Sequence, residues 1–162
     1  AGMASRLKDI APLGVNLAIS LNATTDAQRA KLMPAVNGIA SLKTLLAACR
    51  RYPLAPTRRL TFEYVILAGV NDQEEDARRL VQLVRGITCK VNLIPFNPFP
   101  GSAFRRPSDH DVQVFQSIIR QAGIDVFIRK SRGCDVLGAC GQLGNLPSSY
   151  QAQTLTQIES RC

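Results

Sequence analysis

Apolar and polar positions along this chain repeat with two periods. Val15, Leu17 and Ile19, and then Leu60, Phe62, Tyr64 and Ile66, alternate with polar neighbours and predict two strands. The stretch "CKVNLIPF", Cys89 to Phe96, predicts a third strand cut off by Pro95, and Ile124 to Arg129 predicts a last one. Helical spacing lies between them. Leu42, Leu45, Leu46 and Cys49 share one face behind the capping residue Ser41. Asp72 is expected to cap a second helix, with Glu74, Glu75 and Asp76 in its first turn, Ala77, Leu80, Val81 and Val84 on its apolar face, and Gly86 past its end. Ser108 and Asp111 open a third helix, with Val112, Phe115, Ile119 and Ala122 on its core face and Gly123 as its stop. Leu7, Ile10 and Leu13 read as a helix entered partway.

Strands joined by helical crossovers lie parallel, with the helices covering the sheet, so the expected fold class is α/β. Four strands are too few for a closed eight-stranded barrel. Two architectures stay open at this level: a small doubly wound domain that binds a small molecule, or the later part of a wider barrel. Either way the ligand edge lies at the carboxyl ends of the strands. There the sequence places "SLNATTD", "AGVND" and "PFNPFPGS". No G-x-G-x-x-G follows a strand, which disfavours a dinucleotide site.

Composition narrows the class. The 162 residues are 46% hydrophobic, enough for a buried core, and no run approaches the ~18 apolar residues of a membrane span. A cytoplasmic protein without a membrane partner is the expectation. The formal net charge of +8 favours a polyanionic partner, although solubility accounts for part of it. The five cysteines, Cys49, Cys89, Cys134, Cys140 and Cys162, include no close C-x-x-C pair, so free thiols are expected and a self-contained zinc site is not. Cys49 and Cys89 read as core residues. His110, the single histidine, reads as a surface residue.

Four stretches, "LAISLNATTDAQRAKLMP", "RRLTFEYVILAGVND", "CKVNLIPFNPFPGS" and "RKSRGCDVLGACGQL", resemble, in order and spacing, the C-terminal half of the radical SAM methyltransferases that act on carbon 2 of adenine in 23S ribosomal RNA and in some tRNAs. The resemblance implies the later part of a partial (β/α)6 barrel over residues 1–144, followed by a polar tail over residues 145–162. It implies S-adenosylmethionine and a [4Fe-4S] cluster as cofactors, and 23S rRNA, with tRNA beside it, as partner. The family's C-x-x-x-C-x-x-C cluster motif is absent from this sequence, so no metal ligand is assigned here and the cluster's ligands are expected outside it. A segment inactive by itself is the expectation, and an inactive RNA-binding remnant stays open beside it.

By the same resemblance Cys140 in "ACGQL" is the catalytic residue, a methyl carrier whose S-methyl group is converted to a carbon radical that adds to adenine. A thiolate suits the first step of such a relay, and Gly138, Ala139 and Gly141 leave its sulfur unshielded. A lone cysteine read without the motif is a small buried hydrophobe. Ser20, Leu21 and Asn22 match the family's cofactor-contacting segment and Asn97 matches a later asparagine of it, whereas both asparagines taken alone are ordinary turn residues. Three departures stand out: Asn22 replaces a histidine common in the family, and Cys134 and Leu137 replace acidic residues. Glu63 is expected to face the barrel interior, with Lys90 or Asn92 as partner. Arg105 and Arg106, and Arg129, Lys130 and Arg132 near the cysteine loop, suit either RNA phosphates or a solvated face.

Overall fold

The computed structural model describes residues 14–36, 38, 40–99 and 101–129. Four strands, β1 (Ala18–Ser20), β2 (Leu60–Ile66), β3 (Cys89–Pro95) and β4 (Asp125–Ile128), pair in parallel in the order in which they occur in the chain. Between β1 and β2 lie helices α1 (Asp26–Leu32) and α2 (Leu42–Arg50); α3 (Glu74–Val84) joins β2 to β3, and α4 (Asp109–Gln121) joins β3 to β4.

Sequential order decides between the two architectures. Parallel crossovers are right-handed, so a chain that always steps to the next strand on the same side puts every crossover helix on the same face. A doubly wound sheet needs a reversal of strand order, and these four strands have none. The burial pattern agrees. Ile19, Phe62, Val91 and Val126 are in register on one face, and they join Leu60, Tyr64, Ile66, Cys89 and Leu93 in one cluster with the apolar stripes of α2, α3 and α4. The opposite face carries Ser20, Glu63, Asn92 and Phe127 in one row, and Ala18, Thr61, Lys90 and Asp125 in the next. None of these eight side chains is fully buried. The described sheet is an arc of a barrel wall, and among the described residues no helix covers its inner face.

Local chemistry sets the helix ends. Ser41 and Ser108 accept from the amides of Thr44 and Asp111, and Ser108 also meets the Asp111 carboxylate at 2.6 Å. Gly123, at φ +77, receives the chain after α4 and lets Ile124 N–H reach back to the Ile119 carbonyl. The expected Asp72 cap does not form. Gln73 occupies the cap position without a side-chain capping bond, and the Asp72 carboxylate instead accepts from Gly69 N–H and the Gln73 side-chain amide. The first strand is also shorter than its alternation predicts. Val15 is 47% exposed, and pairing with β2 starts only where the Leu17 carbonyl receives Thr61 N–H.

At the centre of the core the Tyr64 and Phe115 rings stack at 5.4 Å, with both side chains shut off from water. Phe115→Ala is expected to cost about 3–5 kcal/mol, measured by urea denaturation, because α4 has no second ring to fill the space. Cys49 and Cys89 are buried free thiols, as expected. Burial is the main cause that pushes each up from 9.0 to about 11, and for Cys89 the neighbouring Cys49 adds to it. The fold therefore holds these protons more tightly than the unfolded chain does. Their contribution to stability is expected to be complete below about pH 9 and to fall away toward pH 11, which denaturation midpoints on either side of that window will register. Both thiols should also resist alkylation until the protein is unfolded.

Candidate functional site

The carboxyl ends of β1 and β2 are held together by side chains rather than by further ladder. Leu21 N–H donates to the Glu63 carbonyl, but Asn22 then turns into the left-handed region at φ +54. At that rung Asn22 Oδ1 accepts from Val65 N–H at 2.9 Å, and its amide nitrogen faces Met33 Sδ at 3.7 Å. Asn tolerates positive φ better than most residues, and its side chain here replaces a main-chain acceptor.

Asn71, fully buried in the loop after β2, completes the join. Its Oδ1 accepts from Leu67 N–H at 2.7 Å, while its amide donates to the carbonyls of Asn22 and Val65 at 2.9 and 2.8 Å. The Asn71 carbonyl in turn accepts from Tyr64 OH at 2.9 Å. Burial first, and then the Asp76 and Asp72 carboxylates, raise the Tyr64 phenol far above its ordinary range, so it stays a neutral donor.

A second knot lies beside it. Asp76 Oδ1, in the first turn of α3, meets Thr24 Oγ1 and the Gln28 amide at 2.9 Å each and the Arg79 guanidinium at 2.5 Å. Arg79 also donates to Thr24 Oγ1, and Gln28 reaches the Val70 carbonyl. Three donors thus converge on one oxygen of this buried carboxylate, which offsets part of its desolvation. Thr24, Gln28, Asn71, Asp76 and Arg79 were not marked as site-building residues by the sequence. They are polar residues in stretches that read as loop or solvated helix, and their partners lie 42 to 55 positions away.

The expected contact residues are placed as follows. Ser20 is exposed at the end of β1 on the open face, in register with Glu63. Leu21 is fully buried, so its side chain serves the core. Asn22 is half-buried with its acceptor committed to the ladder. Asn97 is half-buried just past β3, on the same carboxyl edge. Glu63 has the expected neighbour: Asn92 donates to its Oε1 at 3.0 Å. Its Oε2 is shielded from water and has no hydrogen-bond partner among the described residues. His110 is exposed on α4, as expected. Cys140, Cys134 and Leu137 lie outside the described residues. Among the described residues no group of three or more His, Cys, Asp and Glu side chains is placed to hold a metal ion, and no helix is long and apolar enough to cross a membrane.

A one-sided parallel arc with a polar carboxyl edge is the wall of a β/α barrel. The fold superposes on the crystal structure of a radical SAM methyltransferase from Sphaerobacter thermophilus with a TM-score of 0.80 and 45% identity, covering 87% of this chain and 42% of that one. The chain is also 53% identical over 129 residues to the dual-specificity RNA methyltransferase RlmN of Syntrophobacter fumaroxidans, and 47% identical over 163 residues to that of Syntrophotalea carbinolica. These alignments take in 80% and 99% of this chain but only 37% and 44% of the relatives, so the chain spans well under half their length. No family model matches it. By sequence and fold the chain is similar to part of the RlmN radical SAM methyltransferases.

The Asn71 knot makes a direct prediction. Asn71→Ala strips partners from one amide and two carbonyls in a dry site, and is expected to lower stability by about 2–4 kcal/mol in urea denaturation.

Proposed function

We propose that this chain is part of a cytoplasmic radical SAM enzyme that methylates carbon 2 of adenine in 23S ribosomal RNA and in tRNA, with Cys140 as the methyl carrier. The observation that carries this reading is the uncovered inner face with its Ser20, Glu63 and Asn92 row, on a chain so close in sequence to RNA methyltransferases. A carboxylate oxygen that is dry and unpaired is costly. Glu63 Oε2, one strand from Ser20, therefore suits a ligand that brings a hydroxyl or an amine to this face, and S-adenosylmethionine carries both.

The described residues offer no ligand set that fits an iron–sulfur cluster. S-adenosylmethionine, when bound, supplies the methyl group. This chain's part is to orient and to relay. Ser20, the Asn22 turn and Asn97 line the edge, the Asn71 and Asp76 knots keep the loops after β1 and β2 from drifting, and the Cys140 thiolate carries the one-carbon unit to the base. Arg105, Arg106 and Arg129, all exposed near that edge, suit contacts to RNA phosphates.

The test lies in the two loop cysteines of the protein that carries this segment. Cys140→Ala is expected to abolish formation of 2-methyladenosine, read by mass spectrometry of digested RNA, while leaving the melting temperature within a few degrees. Cys134→Ala is expected to keep substantial activity. Alanine fits a tight loop but offers no nucleophile, so fold and relay separate. Near-normal methylation by the Cys140 variant, or loss with Cys134 alone, overturns the carrier assignment.

A further inference from the structure

The loop after β3 displays two aromatic rings that the core does not use. Phe99 is 44% exposed and Phe104 39%, yet both converge on Phe96, at ring distances of 6.0 and 6.2 Å. Phe96 is itself anchored, because its N–H extends the β2–β3 ladder to the Ile66 carbonyl at 3.1 Å. The loop is held at three further points: Ser102 N–H on the Phe99 carbonyl, Phe104 N–H on Ser102 Oγ, and Ala68 N–H on the Arg105 carbonyl. Fixed rings of this kind lose little freedom when something stacks on them.

Arg105 and Arg106 follow at once, and both are exposed. Arg105 makes no ion pair among the described residues. Arg106 faces Asp109 at 3.6 Å, with both partners open to water, a pairing worth little and easily exchanged. Asp109 and Asp111 on α4 are the nearby opposing charges in sequence, against a formal net charge of +8 for the chain. Two rings followed directly in sequence by two exposed arginines, in the loop after β3 that begins near Asn97, match one flat aromatic group flanked by negative charge. That is the chemistry of an unpaired nucleotide, since a base in a duplex has both of its faces covered.

We infer that Phe99 and Phe104 form a stacking platform for an unpaired base of the RNA substrate, with Arg105 and Arg106 holding the phosphates beside it. The inference rests on the RNA methyltransferase reading and adds to it the part of the RNA that this edge grips.

The experiment uses the protein that carries this segment and an RNA hairpin with a loop adenosine, or 2-aminopurine in its place. The double variant F99A/F104A is expected to weaken hairpin binding about tenfold or more and to abolish the quenching of 2-aminopurine, with an unchanged melting temperature. F99W/F104W is expected to restore both, since tryptophan stacks at least as well. R105A/R106A is expected to lower the slope of log affinity against log salt by about two. If F99A/F104A binds within about twofold of the parent and still quenches, the platform is wrong. It is also wrong if that variant weakens binding equally to a fully paired duplex. A parent that methylates adenine while F99A/F104A binds normally overturns the platform alone, whereas a parent that binds no RNA overturns the platform and the proposed function together.

Discussion

Constant crossover handedness is the constraint from which this molecule follows. Each of the three crossovers carries the chain one strand further in the same direction, so α2, α3 and α4 all fall on one side of the sheet. The other side has to be finished by something else. That asymmetry explains why β2 and β3 carry polar residues within them: the core-facing half of each strand is buried, while Thr61, Glu63, Lys90 and Asn92, with Val65 and Ile94 beyond them, remain on the other face. In a sheet covered on both faces these strands would read as continuous apolar runs.

At the carboxyl edge a different economy applies. A strand end that must present groups to a ligand cannot also be closed by more ladder, so the loops there need another source of rigidity. Asn71 provides it by bonding to both loops and to the tip of the β2 ladder at once, and Asp76 repeats the device between α1 and α3. Burying this amide and this carboxylate is costly, and the hydrogen bonds they make offset that cost. The gain is a fixed spacing between the ends of β1 and β2, the two strands that carry Ser20 and Glu63.

Much of this was legible in the residues themselves. Leu60, Phe62, Tyr64 and Ile66 are all fully buried, as their alternation requires, and the serine caps of α2 and α4 stand where expected. Asn92 is the partner of Glu63 because register, once the strands are known to be parallel, places it directly opposite. Helix α1 escaped notice for a physical reason: it has seven residues and buries none of them, so it has no apolar stripe to read. The Asp72 cap failed because a nearer amide, that of Gly69, competed for the same carboxylate. The polar knots escaped because a buried asparagine looks like a turn residue until its distant partners are known.

The three ladders are unequal in length. Seven residue pairs join β2 to β3, four join β3 to β4, and three join β1 to β2. Opening free energy in a folded protein follows such differences, so the centre of this sheet is its last part to open and β1 its first. The strand that bears Ser20 is thus the one with the most to gain from a ligand. A molecule bound across Ser20 and Glu63 would add cross-links where native ones are fewest, and occupancy of the site would be felt as a local tightening of the sheet's weakest seam.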